Sequence, residues 1–281
     1  MIETWKRSEL EKLMRSHGLH YSKSFGQNFI KDRNTLEKIV HSAEIKPDEN
    51  IIEVGAGAGA LTLFLSEAAG HVTAVEIDTR LMPVLQKVID GLDNLELVNE
   101  DFLKYELPKT SYKLVGNLPY YITSPIVAKL FEPGPDGTRP VPPELSVLMI
   151  QKEVAERFLS QPGKKTYGAI SVLIQYYSEA EYLFDVSREI FVPKPGVDSA
   201  VIRLKPRDLS GDDPAVATKM FRLVRAGFDM RRKTLRNSLM SSGFPEKTLL
   251  GALEAAGIDP IRRAETLSAR DFYTVASFLK Q

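Results

Sequence analysis

Residues 51–62 read Ile-Ile-Glu-Val-Gly-Ala-Gly-Ala-Gly-Ala-Leu-Thr: an apolar run, three glycines at alternate positions, then the start of a helical pattern. The run at 51–54 predicts a short buried strand, and 60–69 predicts a helix. Glycines at 55, 57 and 59 let the backbone turn tightly and approach a ligand. The helix start behind them offers free N–H groups and the positive end of a dipole. Alone the pattern is ambiguous, because dinucleotide enzymes use a similar G-x-G-x-x-G and a plain strand–turn–helix looks alike. The neighbouring segments decide the fold. Apolar runs at 72–77, 95–98, 113–115 and 145–150 alternate with helical patterns at 81–90 and 125–131. Such alternation predicts a parallel α/β sheet covered by helices on both faces. Strands at 181–186 and 199–204 follow with no obvious helix between them, predicting an antiparallel pair at one sheet edge.

The remainder divides by composition. Residues 133–143 (PGPDGTRPVPP) hold five prolines and two glycines, which reads as a surface loop. Residues 167–177 read as a buried helix, and the polar turn-rich stretch 209–214 (LSGDDP) is the best domain boundary. Helical patterns at 215–227, 231–241, 246–256 and 269–279 follow it. The expected organisation is an α/β domain over 1–208, Rossmann-like in its alternation of strands and helices, and a small all-helical domain over 209–281.

The 281 residues carry 37 Lys+Arg and 37 Asp+Glu, so the formal net charge is zero, and hydrophobic content is 43%. These are ordinary globular values that exclude collagenous and low-complexity classes. Cys is absent, which removes disulfides, thiolate nucleophiles and Cys-based zinc sites. The first fifteen residues are too charged for a secretory leader. The longest charge-free stretch, 114–128, has 15 residues and two prolines, too short to span a bilayer. A cytoplasmic protein is expected, with no membrane association. The zero conceals an asymmetry: residues 1–38 are net +3, 39–202 net −9 and 203–281 net +6. Basic ends around an acidic middle suit either exposed amphipathic helices or a polyanion-binding face.

Three further signals fall at successive strand ends. Glu76 lies 21 residues after Gly55, at the end of the second strand, where a carboxylate can accept both ribose hydroxyls; Asp78 is a nearby competitor. Glu100-Asp101 ends the third strand, where an acid could accept from an adenine amino group or simply cap a helix. Asn117-Leu118-Pro119-Tyr120 follows the fourth strand. An adenine exocyclic amine is a poor nucleophile because its lone pair is delocalised into the ring. Two acceptors for its N–H bonds, the Asn117 side-chain carbonyl and a neighbouring backbone carbonyl, would favour a pyramidal nitrogen free to attack. Pro119 would fix the turn and Tyr120 would offer a face for base stacking. A plain proline turn with a buried tyrosine is the competing reading. The four histidines (17, 20, 41 and 71) form no metal pattern, and no metal is expected.

Together SFGQNFI, EVGAGAGALT, NLPYYITSP and FVPKPGVDSAV, spanning the chain from about residue 22, resemble the rRNA adenine N6,N6-dimethyltransferase family. The tail stretches 231–239 (RRKTLRNSL) and 263–271 (RAETLSARD) are similar to its ribosomal small-subunit branch rather than its antibiotic-resistance branch. Phe25 and Ile30 depart from the usual Leu, Asp229-Met230 from a polar pair, and the 133–143 loop looks longer than usual. The resemblance implies S-adenosyl-L-methionine as cofactor. Asn28 and Ile30 would close over it, Gly55 would approach its methionine portion, Glu76 would take the ribose and Asp101 the adenine amine. Asn117 would sit near the transferable methyl, with Leu118, Pro119 and Tyr120 completing the catalytic turn. Phe191 would sandwich the target adenine against Tyr120. The implied substrate is a pair of adjacent adenosines in the hairpin loop near the 3′ end of 16S rRNA, within the 30S particle, with the enzyme acting as a monomer during ribosome biogenesis. Arg222, Arg225, Arg231, Arg232, Lys233 and Arg236 would run along one side of a helical pair and meet rRNA phosphates. An adenine methyltransferase acting on DNA or large-subunit rRNA, and a binding factor without turnover, are the alternatives.

Overall fold

The computed structural model describes residues 2–21, 27–133 and 138–279. In chain order the elements are α1 (Arg7–Ser16), β1 (Phe29–Ile30), α2 (Arg33–Ser42), β2 (Asn50–Val54), α3 (Ala60–Ala68), β3 (His71–Val75), α4 (Met82–Val88), β4 (Leu95–Val98), β5 (Lys113–Asn117) and α5 (Thr123–Phe131). They continue with β6 (Ser146–Gln151), α6 (Lys152–Phe158), α7 (Ala169–Tyr177), β7 (Ser178–Val186), β8 (Phe191–Val192), β9 (Ser199–Pro206), α8 (Pro214–Asp229), α9 (Leu235–Ser241), α10 (Glu246–Ala255) and α11 (Ala269–Phe278). Residues 22–26, which open the SFGQNFI motif and include Phe25, lie outside the described residues, as do 134–137 of the proline-rich loop.

Two compact units are formed, 1–155 with 181–206, and 156–180 with 207–281. In the first, the main sheet has the order β4-β3-β2-β5-β6-β9-β7. β2 runs parallel to both β3 and β5, β3 to β4, and β5 to β6, whereas β9 is antiparallel to β6. The central strands are continuous apolar runs because both their faces are covered, as in β6, where five of six residues are buried. Strand order reverses between β2 and β5, so a crevice opens at their carboxyl ends. Ile51, Val72, Val115, Val147 and Met149 from the strands share one core with Leu63 and Leu65 of α3. A separate two-strand ladder pairs Phe29 with Val192 and Ile30 with Phe191, antiparallel. Its strands are too short for any periodicity to announce them.

The second unit is helical. Asp213 caps α8 by accepting from Ala215 N–H at 2.8 Å, with Pro214 in the first turn. Ser268 and Asp271 form a reciprocal capping box on α11. The two helices pack along Met220, Phe221, Leu223 and Val224 on one side and Phe272, Tyr273, Val275 and Ala276 on the other. Tyr177 of α7 stacks on Phe221 with centroids 5.3 Å apart, and buried Tyr167 donates to the Leu267 carbonyl at 2.9 Å. Residues 156–180 therefore fold with the C-terminal helices, and the division expected at 208/209 is corrected accordingly. The aromatic face of α7 finds its partners in the tail, which a reading along the chain does not show.

Candidate functional site

The cleft lies where the strand order reverses and is lined by residues 27–30, 53–58, 75–77, 100–102 and 117–120, with Thr4, Ala60, Leu61 and Ile122. It gathers Asn28, Ile30, Gly55, Glu76, Asp101, Asn117, Leu118, Pro119 and Tyr120 in one place. Gly55, Gly57 and Gly59 have φ of 76°, 60° and 82°, the left-handed region that side chains rarely adopt. A Cβ on Gly57 would also sit 3.2 Å from the Phe29 ring, so the turn and the covering strand are mutually fitted.

Glu76 follows β3 and is buried, its two carboxylate oxygens accepting Gly57 N–H at 2.8 Å and Asp78 N–H at 2.9 Å. Each oxygen keeps a second lone pair for a ligand hydroxyl. Burial pushes the Glu76 carboxyl up, and those backbone N–H groups oppose the shift. The competitor Asp78 is consumed elsewhere: it accepts Gln27 Nε2 at 2.7 Å and both Arg80 Nε and a terminal Arg80 nitrogen at 2.8 and 2.6 Å. Burial raises Asp78, but the hydrogen bonds from Arg80 and Gln27 outweigh it and hold the carboxyl below its usual range. Asp101 uses Oδ1 to accept Leu103 N–H at 2.9 Å, which leaves Oδ2 for a ligand. Capping and ligand-binding readings are therefore compatible at this acid.

Asn117 ends β5, and its Nδ2 donates to the Asn28 backbone carbonyl at 3.0 Å. A carbonyl can only accept, so this bond fixes the amide: Nδ2 is committed to the covering segment, and Oδ1 is left as an acceptor on a residue that lines the cleft. Asn28 thus orients Asn117 through its backbone, a relation no side-chain motif reveals. Tyr120 is half-buried on the same wall, and burial raises its phenol so that it stays a neutral hydroxyl.

Glu53, the first residue of EVGAGAGALT, is fully buried and accepts Thr62 Oγ1 at 2.5 Å. Burial pushes its carboxyl up to about 8; the Thr62 bond opposes and the Glu76 charge adds to the shift. Folded protein thus holds this proton between the unfolded value near 4.5 and about 8, where the unfolded chain has lost it. The associated stability is present below the lower value and is lost as pH rises toward the upper one. Glu53→Gln is expected to flatten that decline, raising Tm relative to the parent at pH 8 but not at pH 5, checked by thermal melts across this range. Parallel melting profiles would contradict it.

Phe191 lies next to the cleft wall. It is 2% exposed, packs in the core and pairs in register with Ile30, which lines the cleft; that it sandwiches the target base against Tyr120 is a proposal. The tail is corrected in part: 231–234 form a turn before α9 rather than its first helical turn, because Thr234 caps the helix by accepting Asn237 N–H at 3.3 Å. Arg231 donates to Glu265 at 2.8 Å and to the carbonyls of Tyr167 and Lys165, an architectural use. Arg236 pairs with Glu246, and the Arg222 guanidinium lies 5.9 Å from the Phe244 ring centroid. Arg222, Arg225, Arg232, Lys233 and Arg236 are all exposed. Thr4, Ile77, Phe102 and Ile122 line the cleft without any signal in their sequence context. Among the described residues no group of acids and histidines could hold a metal ion, and no helix is long and apolar enough to cross a membrane.

A glycine turn, a buried acid with spare lone pairs after the second strand of the series, and a further acid after the third fit an adenosyl cofactor. The fold and cleft define an S-adenosylmethionine-dependent methyltransferase of the Rossmann-like class. Residues 18–281 match the family model described as ribosomal RNA adenine dimethylase, and the chain belongs to that family. It is 44% identical to "Ribosomal RNA small subunit methyltransferase A" of Streptococcus pneumoniae strain P1031, over 97% of each chain. Among solved structures it is similar to a dimethyladenosine transferase from Plasmodium falciparum (29% identity, TM-score 0.75, covering 88% of this chain and 95% of that one). It is also similar to the 23S rRNA methyltransferase ErmE (30% identity, TM-score 0.69, covering 90% and 100%). The enzyme uses S-adenosylmethionine to dimethylate adenine N6 in ribosomal RNA.

Proposed function

We propose that the acceptor is a pair of adjacent adenosines in the hairpin loop near the 3′ end of 16S rRNA, presented by the 30S particle in the cytoplasm. The near-full-length similarity to a small-subunit methyltransferase supports the small-subunit assignment, together with the tail stretches 231–239 and 263–271. The observation that carries the chemistry is the oriented Asn117 amide, its Nδ2 held by Asn28 and its Oδ1 left as an acceptor on the cleft lining that Tyr120 shares.

In this reading Oδ1 of Asn117 and a backbone carbonyl of the 117–120 turn accept the two N6 hydrogens, freeing the nitrogen lone pair. Tyr120 stacks on the flipped base, and Pro119 holds the turn. Glu76 binds the ribose and Asp101 the adenine of the cofactor, which Asn28 and Ile30 cover. Bound S-adenosylmethionine supplies a methyl on a sulfonium, so the protein contributes orientation and desolvation rather than a strong base. The amine proton becomes acidic only after alkylation, consistent with the absence of His from the cleft lining.

Labelled methyl transfer should go to undermethylated 30S particles and not to 23S rRNA or duplex DNA. Preferential labelling of either of the latter would move the enzyme to another substrate class.

The tail arginines divide into two groups with different expected behaviour. Arg231→Ala removes three donated hydrogen bonds within the helical unit and should cost on the order of 1–2 kcal/mol, visible as a lowered Tm. Arg232→Ala with Lys233→Ala, both exposed and outside the helices, should leave Tm unchanged. That pair should weaken 30S binding and flatten its salt dependence, by a slope of about 1 for each phosphate no longer neutralised. An unchanged salt slope would count against these residues as RNA contacts.

A further inference from the structure

The 191–201 motif marks the chain as a family member, and its aromatic residue is buried in the core beside cleft-lining Ile30. Another residue of the motif is hydrogen-bonded to a residue that lines the cleft. Ser199 opens β9, is fully buried and pairs in register with Gln151 at the end of β6. Its hydroxyl lies 2.7 Å from the phenol oxygen of Tyr120, 79 residues away in the chain. Both ends of this bond are held. On the Tyr120 side, Leu118 N–H donates to the Met149 carbonyl at 3.0 Å, while Ile122 N–H and Thr123 Oγ1 donate to the Pro119 carbonyl at 3.1 and 3.2 Å. On the Ser199 side, the preceding Asp198 accepts Lys152 N–H at its carbonyl (3.1 Å) and Arg188 N–H at its carboxylate (3.0 Å). The Arg188 guanidinium donates to the Gly196 carbonyl at 2.9 Å, closing the loop that delivers Ser199.

We propose that Ser199 is a positioning residue for methyl transfer, holding the Tyr120 ring by its phenol oxygen at the angle at which it faces the target adenine. This rests on the reading of Tyr120 as the stacking wall. The backbone turn fixes only the Cβ of Tyr120; two side-chain torsions remain, and a partner at the far end of the ring removes both. A neutral phenol in this half-buried position needs a partner, and Ser199 supplies it across β6. The motif thereby contributes through Asp198, which ties the loop, and Ser199, which ties the ring.

The test uses full-length Ser199→Ala, Tyr120→Phe, the double variant and Tyr120→Ala, with unmethylated 30S particles and methyl-labelled S-adenosylmethionine in single-turnover assays. Ser199→Ala and Tyr120→Phe should each slow transfer about fivefold, the scale of one neutral hydrogen bond. Both should raise the ratio of N6-monomethyladenosine to N6,N6-dimethyladenosine and leave cofactor affinity within about twofold of the parent. The double variant should be no slower than either single one, because both changes remove one bond. Losses that multiply in the double variant, or a lowered Tm with an unchanged rate, would overturn the proposal. Tyr120→Ala at the parental rate would overturn the reading of Tyr120 itself. Inactive Tyr120→Ala beside fully active Ser199→Ala would overturn the role of Ser199 alone.

Discussion

Replacing Asn117 by Ala is expected to lower methyl transfer by about 10³-fold while the protein stays folded, because the acceptor aligned with N6 is removed. The amide sits at the end of a strand whose neighbours on both sides are parallel and paired, so the substitution leaves the sheet intact. The loss should fall on the rate of the chemical step. Cofactor affinity should change less, since Glu76 and Asp101 bind other parts of that molecule in the proposed arrangement. Asn117→Asp is the sharper control. It keeps acceptor oxygens but cannot donate to the Asn28 carbonyl, and it sets a carboxylate where an N–H lay 3.0 Å from that oxygen. Its rate should resemble that of the Ala variant. Single-turnover methylation with a separate measurement of cofactor binding decides the matter, and a parental rate for Asn117→Ala would remove the catalytic assignment.

The second large effect is expected at Glu76. Its carboxylate organises the glycine turn by accepting Gly57 N–H and braces the Asp78 N–H, with lone pairs left for two ribose hydroxyls. Glu76→Ala should raise the Kd for S-adenosylmethionine about 100-fold, the scale of one to two charge-assisted hydrogen bonds. Asp78→Asn should weaken binding far less, because Asp78 is occupied with Arg80 and Gln27. Calorimetric titration of both variants separates them. Equal losses at the two positions would contradict the assignment of the ribose to Glu76.

Much of this site can be read along the chain, for a physical reason. Parallel strands buried on both faces appear as short apolar runs, and residues at or just beyond the carboxyl end of each run fall at the same sheet edge, so Gly55, Glu76, Asp101 and Asn117 converge by topology. Choosing between Glu76 and Asp78 lies beyond that logic, because it depends on Arg80 and Gln27 capturing the second acid. The orientation of Asn117 depends on a backbone carbonyl that any residue at 28 would supply. Phe191 takes a base-stacking role from the family resemblance alone, whereas its residue type reads as core, and it packs in the core beside Ile30. The helical unit recruits 156–180 through aromatic stacking across distant segments, which composition along the tail does not register. Charge behaves likewise: a net zero conceals a basic tail, and within that tail Arg231 serves the fold while Arg232 and Lys233 face solvent.

The central claim is tested most directly by mass spectrometry of small-subunit rRNA after unmethylated 30S particles are incubated with this enzyme and S-adenosylmethionine. The expected result is N6,N6-dimethyladenosine at two adjacent positions in the loop of the 3′-terminal hairpin. Its absence there, with methyl groups found elsewhere or nowhere, would contradict the account.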